Sequence, residues 1–187
     1  MARRLVDEAT TIEGLTGLFR DGGFEGTSLA DIAAATGMQK SSLYHRFPGG
    51  KAQMAADVIA AVGQQFAGDV LAPLATDQPL DDRIRAVGLR LRAFYEEGAR
   101  SCLLDVLSIG TPGPDAAAGL ATAAAGWIGA FAALAGEAGA DADHATIRAQ
   151  DAIGAIEGAL VLARATGDRR PVDRAIDRLA ETLLGTH

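Results

Sequence analysis

Apolar residues recur along this chain at helical spacing. From residue 80 onward Leu80, Ile84, Val87, Leu91 and Phe94 step by 4, 3, 4 and 3; Ala149, Ile153, Ile156, Leu160 and Ala163 repeat those steps, and Val172, Ile176, Leu179 and Leu183 step by 4, 3 and 4. Residues three and four apart share one face of an α-helix, and a sustained 3.5-residue repeat is what helices use to pack at a shallow angle. No stretch alternates apolar and polar residues between turn signals, and β-branched runs are absent. The pattern predicts an all-α protein. Breaker clusters at Asp21-Gly22-Gly23, Thr36-Gly37, Pro48-Gly49-Gly50, Pro73 to Pro79, Thr111 to Pro114, Gly139 to Asp143 and Gly167 to Pro171 leave about nine helical segments between them.

One segment has the length of a membrane span: residues 116–136 carry no charge over 21 positions. Eleven of them are Ala and four are Gly, and the large apolar groups Leu120, Trp127, Ile128, Phe131 and Leu134 fall at offsets 0, 7, 8, 11 and 14, a single stripe. A lipid-exposed helix is apolar all round, so this one is expected to be a buried helix of a soluble protein, with no membrane partner. The last two helical repeats look like a bundle-forming pair. Ile153, Ile156, Leu160, Ile176, Leu179 and Leu183 are expected either to form a two-fold dimer interface or to be intrachain core; the spacing alone fits both.

The most informative stretch is residues 24–51. Ser28 suits a helix N-cap, with Asp31 three positions on where a carboxylate favours the helix dipole. The helix that follows carries Leu29, Ile32 and Ala33 inward and stops at Thr36-Gly37, where Gly takes the left-handed conformation. Met38 anchors the turn, and Gln39 to Phe47 makes a second short helix with Leu43 and Phe47 facing the first. Two short helices about a tight Gly turn are a helix-turn-helix. The second bears Gln39, Lys40, Ser41, Ser42, Tyr44, His45 and Arg46 with no carboxylate among them, the donor set that base edges and phosphates require. A solvated polar surface, or a helix-turn-helix used for protein contacts in an adaptor bundle without DNA binding, is the alternative.

In order, spacing and N-terminal position, Gly26-Thr27-Ser28-Leu29-Ala30-Asp31-Ile32-Ala33, Thr36-Gly37-Met38 and Lys40-Ser41-Ser42-Leu43-Tyr44-His45-Arg46-Phe47 resemble the DNA-binding domain of TetR/AcrR-family transcriptional regulators. Phe47-Pro48-Gly49-Gly50-Lys51 is similar to the LmrA/YxaF-like branch, in which such a turn opens the fourth helix. The resemblance implies a homodimer whose three-helix domains, here residues 1–50, read a palindrome in double-stranded DNA. The C-terminal helical domain, here residues 51–187, would hold a small-molecule effector and the dimer interface. It also implies phosphate contacts from Thr27, Tyr44 and Lys51, and base reading from Gln39, Lys40, Ser41 and Ser42. Ser28, His45 and Arg46 complete the candidate DNA-binding set. Two positions depart from the family pattern: Gln39 stands where a capping Ser or Thr is usual, and Arg46 where His is usual. By the same resemblance Phe66, Phe94, Tyr95, Cys102, Trp127 and Phe131 are ligand-binding candidates suited to an apolar or aromatic effector, and repression is the expected sign; each of the six is otherwise an ordinary core residue.

Charge first argues against DNA, since 17 basic and 24 acidic residues give a net charge of −7. The distribution reverses that. Residues 1–51 hold six basic and six acidic groups, residues 38–51 hold three basic groups and no acid, and the chain's only two lysines, Lys40 and Lys51, lie there. Other chemistry fails on its spacing. Gly50-Lys51 lacks the Gly and the Ser or Thr of a phosphate-binding loop, and no catalytic motif is present. The single Cys102 permits no intrachain disulfide and fits a cytoplasmic compartment. His45, His144 and His187 are too scattered for a metal site. No cofactor, metal or catalytic residue is expected. Arg3 and Arg4 imitate the start of a leader, but Asp7, Glu8 and Glu13 interrupt it, so the chain is read as unprocessed.

Overall fold

The computed structural model describes residues 8–185; Arg3, Arg4, Asp7 and His187, weighed above, lie outside the described residues. Those described are helical, without a strand: α1 (Glu8–Gly26), α2 (Leu29–Thr36), α3 (Lys40–Arg46), α4 (Gly50–Phe66), α5 (Leu80–Phe94), α6 (Leu103–Ser108), α7 (Pro114–Glu137), α8 (Ala142–Thr166), α9 (Arg170–Asp177) and α10 (Leu179–Leu184). Arg178 alone separates α9 from α10, so the two continue one helical segment and the count agrees with the nine expected. The chain divides into two compact units. One holds the described residues up to Gly63 with Leu103–Ala123, the other Gln64–Cys102 with Ala124 onward.

The first unit is built on α1, α2, α3, α4 up to Gly63, α6 and the start of α7. Leu15, Phe19 and Phe24 of α1 meet Ile32, Leu43, Phe47, Met54, Val58, Leu103, Leu107 and Ala116 in one core, with Leu29, Ala33 and Met38 packed against it. The helix caps follow the sequence reading. Ser28 accepts the Asp31 N–H and Asp31 accepts the Ser28 N–H, a reciprocal capping box, and Gly37 closes α2 at φ 64°. Asp21-Gly22-Gly23 interrupts the first helix as its glycines predict, with Gly23 out of helical conformation at φ 64° and ψ −172°. One detail differs: this compact unit does not stop at residue 50, since α6 lies against α1, which brings residues 103–123 into it.

The second unit packs α8 along α9 and α10, with α5 against both of these. Ile156, Leu160, Ile176, Leu179 and Leu183 are all at most 6% exposed within the single chain, and Ile153 is half-buried. Helices of the same chain cover all of these but Ile153, and this favours the intrachain-core alternative for the 4-3 stepping. The buried-helix expectation for α7 holds on one side only. Trp127, Phe131, Leu134 and Ala135 turn inward while Thr122, Ala125, Gly126, Gly129, Ala133 and Gly136 are exposed. By length and composition alone, α7 and the helical stretch Gly50–Ala75 would each suffice to cross a membrane.

A buried charge went unread in the sequence. Arg83 on α5 is 8% exposed; it donates to both carboxylate oxygens of Glu137, at 2.5 and 3.0 Å, and to the Leu74 carbonyl. A guanidinium removed from water needs such partners. The hydrogen bonds from Arg83 hold the Glu137 carboxyl below its ordinary value of 4.5. A carboxylate with a lowered folded-state pKa contributes stability in full above the unfolded value and loses it as the pH falls through the folded one. Glu137→Gln should therefore lower the thermal midpoint at pH 7 and shrink the drop between pH 5 and 3, as followed by circular dichroism.

Candidate functional site

The recognition segment is positioned from α1 outward. The kink at Gly23 interrupts the hydrogen-bond ladder, and carbonyls near the end of α1 need donors from elsewhere. The Thr27 hydroxyl lies 2.7 Å from the Gly23 carbonyl oxygen and 3.2 Å from that of Leu18. Lys51, at the start of α4, donates to the carbonyls of Phe24 at 2.8 Å and Thr27 at 3.0 Å, with its ammonium 4.3 Å from the centre of the Phe24 ring. The start of α4 is thereby tied to the end of α1, with α2 and α3 held in the intervening loop of chain.

On α3, Leu43 faces the core while Lys40, Ser41, Tyr44 and His45 are exposed. Lys40 and Tyr44 are four apart, as are Ser41 and His45, so the four cover adjoining rows of one outer face. Tyr44 is 54% exposed, high for an aromatic ring. Among the described residues Lys40 has no hydrogen-bond or ion-pair partner. Gln39 occupies the N-cap without a side-chain cap bond, as its departure from Ser or Thr implies. Arg46 turns from the outer face: it donates to the Thr11 hydroxyl on α1 at 3.2 Å and lies 5.5 Å from the centre of the Phe47 ring. Ser42 is half-buried.

The structure thus sorts the DNA-binding candidates. Gln39, Lys40, Ser41, Tyr44 and His45 lie together on an open face. Thr27 is 2% exposed, with its hydroxyl directed to main-chain carbonyls, and Ser28 is committed to the α2 cap. The bonds of Lys51 and Arg46 hold the helices in place. No periodicity announces the Lys51 tie, because its acceptors are main-chain atoms 24 and 27 residues away.

The six ligand candidates, scattered over 66 positions, meet in the second unit. Phe66 lies 5.1 Å from Phe94 and 4.8 Å from Trp127 between ring centres; Phe94 lies 5.2 Å from Tyr95, and Trp127 6.0 Å from Phe131, all edge-on. The Tyr95 hydroxyl donates to Cys102 Sγ at 3.4 Å. Edge-to-face rings are a favoured aromatic packing. Trp127 is 2% exposed, and its indole N–H meets no acceptor among the described residues. A buried donor normally has one, a feature the sequence gives no means to foresee.

Lys51→Met removes the two hydrogen bonds that Lys51 donates to the carbonyls of Phe24 and Thr27. It should cost about 1–2 kcal/mol in urea denaturation without DNA present; a loss confined to DNA affinity would instead make Lys51 a phosphate contact alone.

Comparison with known proteins agrees with this geometry. The sequence profile of bacterial regulatory proteins of the tetR family matches residues 12–58, and that of the transcriptional regulator LmrA/YxaF-like C-terminal domain matches residues 84–178. No curated protein gives a sequence match. Among solved structures, the chain is similar to a TetR transcriptional regulator from Legionella pneumophila, with 19% identity over 96% of this chain and 99% of that one and a TM-score of 0.84. It is similar also to a regulatory protein TetR from Rhodobacter sphaeroides, with 22% identity over 97% and 98% and a TM-score of 0.77. Reduced NemR from E. coli has 19% identity over 92% and 96% and a TM-score of 0.72. From the two matched profiles together, the chain belongs to the tetR family of DNA-binding transcriptional regulators, with a C-terminal domain of the LmrA/YxaF-like kind.

Proposed function

We propose that this regulator is a cytoplasmic repressor that binds a palindromic operator as a homodimer and leaves it when a small apolar or aromatic effector binds. In this reading residues 1–50 read DNA and residues 51–187 carry the effector and dimer functions, with no catalytic step. The observation that carries it is the outer face of α3, where Lys40, Ser41, Tyr44 and His45 stand exposed on a helix without a carboxylate. Such a face suits the major groove, where Lys40, Ser41 and Gln39 reach base edges and Tyr44 a phosphate. Thr27 and Lys51 serve the contact by holding the recognition helix in register.

The aromatic cluster supports the effector reading. Its apolar rings favour an apolar body, and the unmet N–H of Trp127 favours a compound that brings a hydrogen-bond acceptor. Such a ligand acts on DNA binding only as far as it prefers one spacing of the two recognition helices over the other.

Selection from random duplexes at low salt should return an inverted repeat with half-site centres about 34 Å apart, one helical turn. Failure to select any repeat, or capture of a single half-site by one chain, would defeat the reading. Tyr44→Phe should weaken all sequences alike, whereas Lys40→Ala should also relax base preference. For the effector, Trp127 is the chain's one tryptophan, so its fluorescence should respond to any compound that releases the protein from its operator. Trp127→Phe should weaken that compound by about 1 kcal/mol, roughly fivefold, for the lost hydrogen bond. Unchanged affinity would return Trp127 to the ordinary core.

A further inference from the structure

The stretch leading into α5 and the end of α7 border an open cavity of about 540 Å³, lined by Thr76, Asp77, Gln78, Leu80, Arg83, Glu137 and their apolar neighbours. All of it belongs to the second unit. Among the described residues no aromatic ring lines it. It also stands apart from the rings of the effector cluster. Glu137 comes ten residues after Trp127 on α7, and Arg83 eleven before Phe94 on α5. Each therefore lies about 15 Å along its helix from that cluster.

Arg83 is more than nine-tenths buried, yet its hydrogen bonding is incomplete. Its two terminal nitrogens donate to Glu137 and to the Leu74 carbonyl, while its Nε–H has no acceptor among the described residues. A buried donor left unmet is costly, so this wall is short of one acceptor. The charge is unbalanced as well. Arg83 is set against Glu137 in contact and Asp77 at a distance, and the lining carries one net negative charge. Asp77 is exposed, and the Glu137 side chain is 50% exposed. Each Glu137 oxygen meets Arg83 with one lone pair and keeps another. Among the described residues no group of three or more His, Cys, Asp or Glu side chains is placed to hold a metal ion. The unbalanced charge calls instead for an organic cation.

We propose that this cavity binds a small organic cation that carries an oxygen beside its ammonium group, as an amino alcohol does. The ammonium lies against the free lone pairs of Glu137 and the Asp77 carboxylate, and the oxygen accepts the Arg83 Nε–H. That nitrogen is shielded from solvent, so the exposed stretch 75–79 gives way as the oxygen enters. Neither half of the ligand suffices alone. A neutral polyol leaves the negative charge unmet, and a plain amine leaves the Nε–H unmet. The site shares no residue with the DNA-binding or aromatic sets and stands independently of both.

Three compounds of similar size separate these requirements, with amide chemical shifts of the isotope-labelled full chain as the readout. Ethanolamine should move the amides of residues 75–83 and 137 saturably, with half-effect at roughly millimolar concentration, as suits so small a ligand. Ethylene glycol, with oxygens and no charge, and propylamine, with charge and no oxygen, should each bind about tenfold more weakly. Asp77→Asn should weaken ethanolamine by about the same factor. Helix content should hold in that variant, because Asp77 is exposed and makes no hydrogen bond among the described residues. Trp127→Phe should leave ethanolamine binding unchanged. Absence of saturable shifts, equal binding of the three compounds, or shifts that persist unweakened in Asp77→Asn would overturn the proposal. So would shifts lost in Trp127→Phe, which would place the cation among the aromatic rings.

Discussion

The end of α1 is the constraint on which the recognition head depends. A left-handed glycine at position 23 interrupts α1, and the carbonyls beside it must find donors outside the regular pattern. Thr27 and Lys51 supply them, one from the connection to α2 and one from the start of α4. At the same corner Glu25 accepts from the Thr111 hydroxyl at 3.1 Å, which ties the segment leading into α7 to α1. The placement of α3 is therefore settled by main-chain hydrogen bonding some distance from its own outer face. That face is left free of structural duty.

Charge obeys a similar division of labour. In the second unit the arginines are largely engaged: Arg83 with Glu137, Arg92 with Asp173 and Asp177, Arg100 with Glu96, Arg170 with Asp168 and Arg178 with Glu181. Most of these pairs are exposed and contribute little individually to stability, but they neutralise positive charge where DNA is not expected. Among the described residues Lys40 has no such partner. An acidic protein can thus hold one local donor-rich surface, and the net charge of the chain says little about where its anionic partner goes.

The sequence was legible wherever a local rule fixed the outcome. Ser28 with Asp31, Gly37, and the inward set Leu29, Ile32, Leu43 and Phe47 stand as their spacing predicts, because caps and helical faces are decided within a few residues. The family resemblance carried the fold and the regulatory role. It could not tell which side chains were free to touch DNA, since Thr27, Arg46 and Lys51 look the same in sequence whether they face a phosphate or a partner within the fold. Nor could the 4-3 stepping of Ile156, Leu160, Ile176 and Leu179 say what covers it. Arg83 was missed because nothing local marks a charge whose carboxylate partner lies 54 positions away.

The confinement of both lysines to the head bears on how the protein can be handled. Of the two side-chain amines, Lys51 is half-buried and bonded to two carbonyls, while Lys40 projects from the outer face of α3. Acylating reagents that target side-chain amines will therefore modify α3 first and remove the positive charge there. A protein coupled to a sensor surface through those amines would be tethered by the side that reads DNA. Attachment through carboxylates, which are plentiful elsewhere in the chain, leaves that side open.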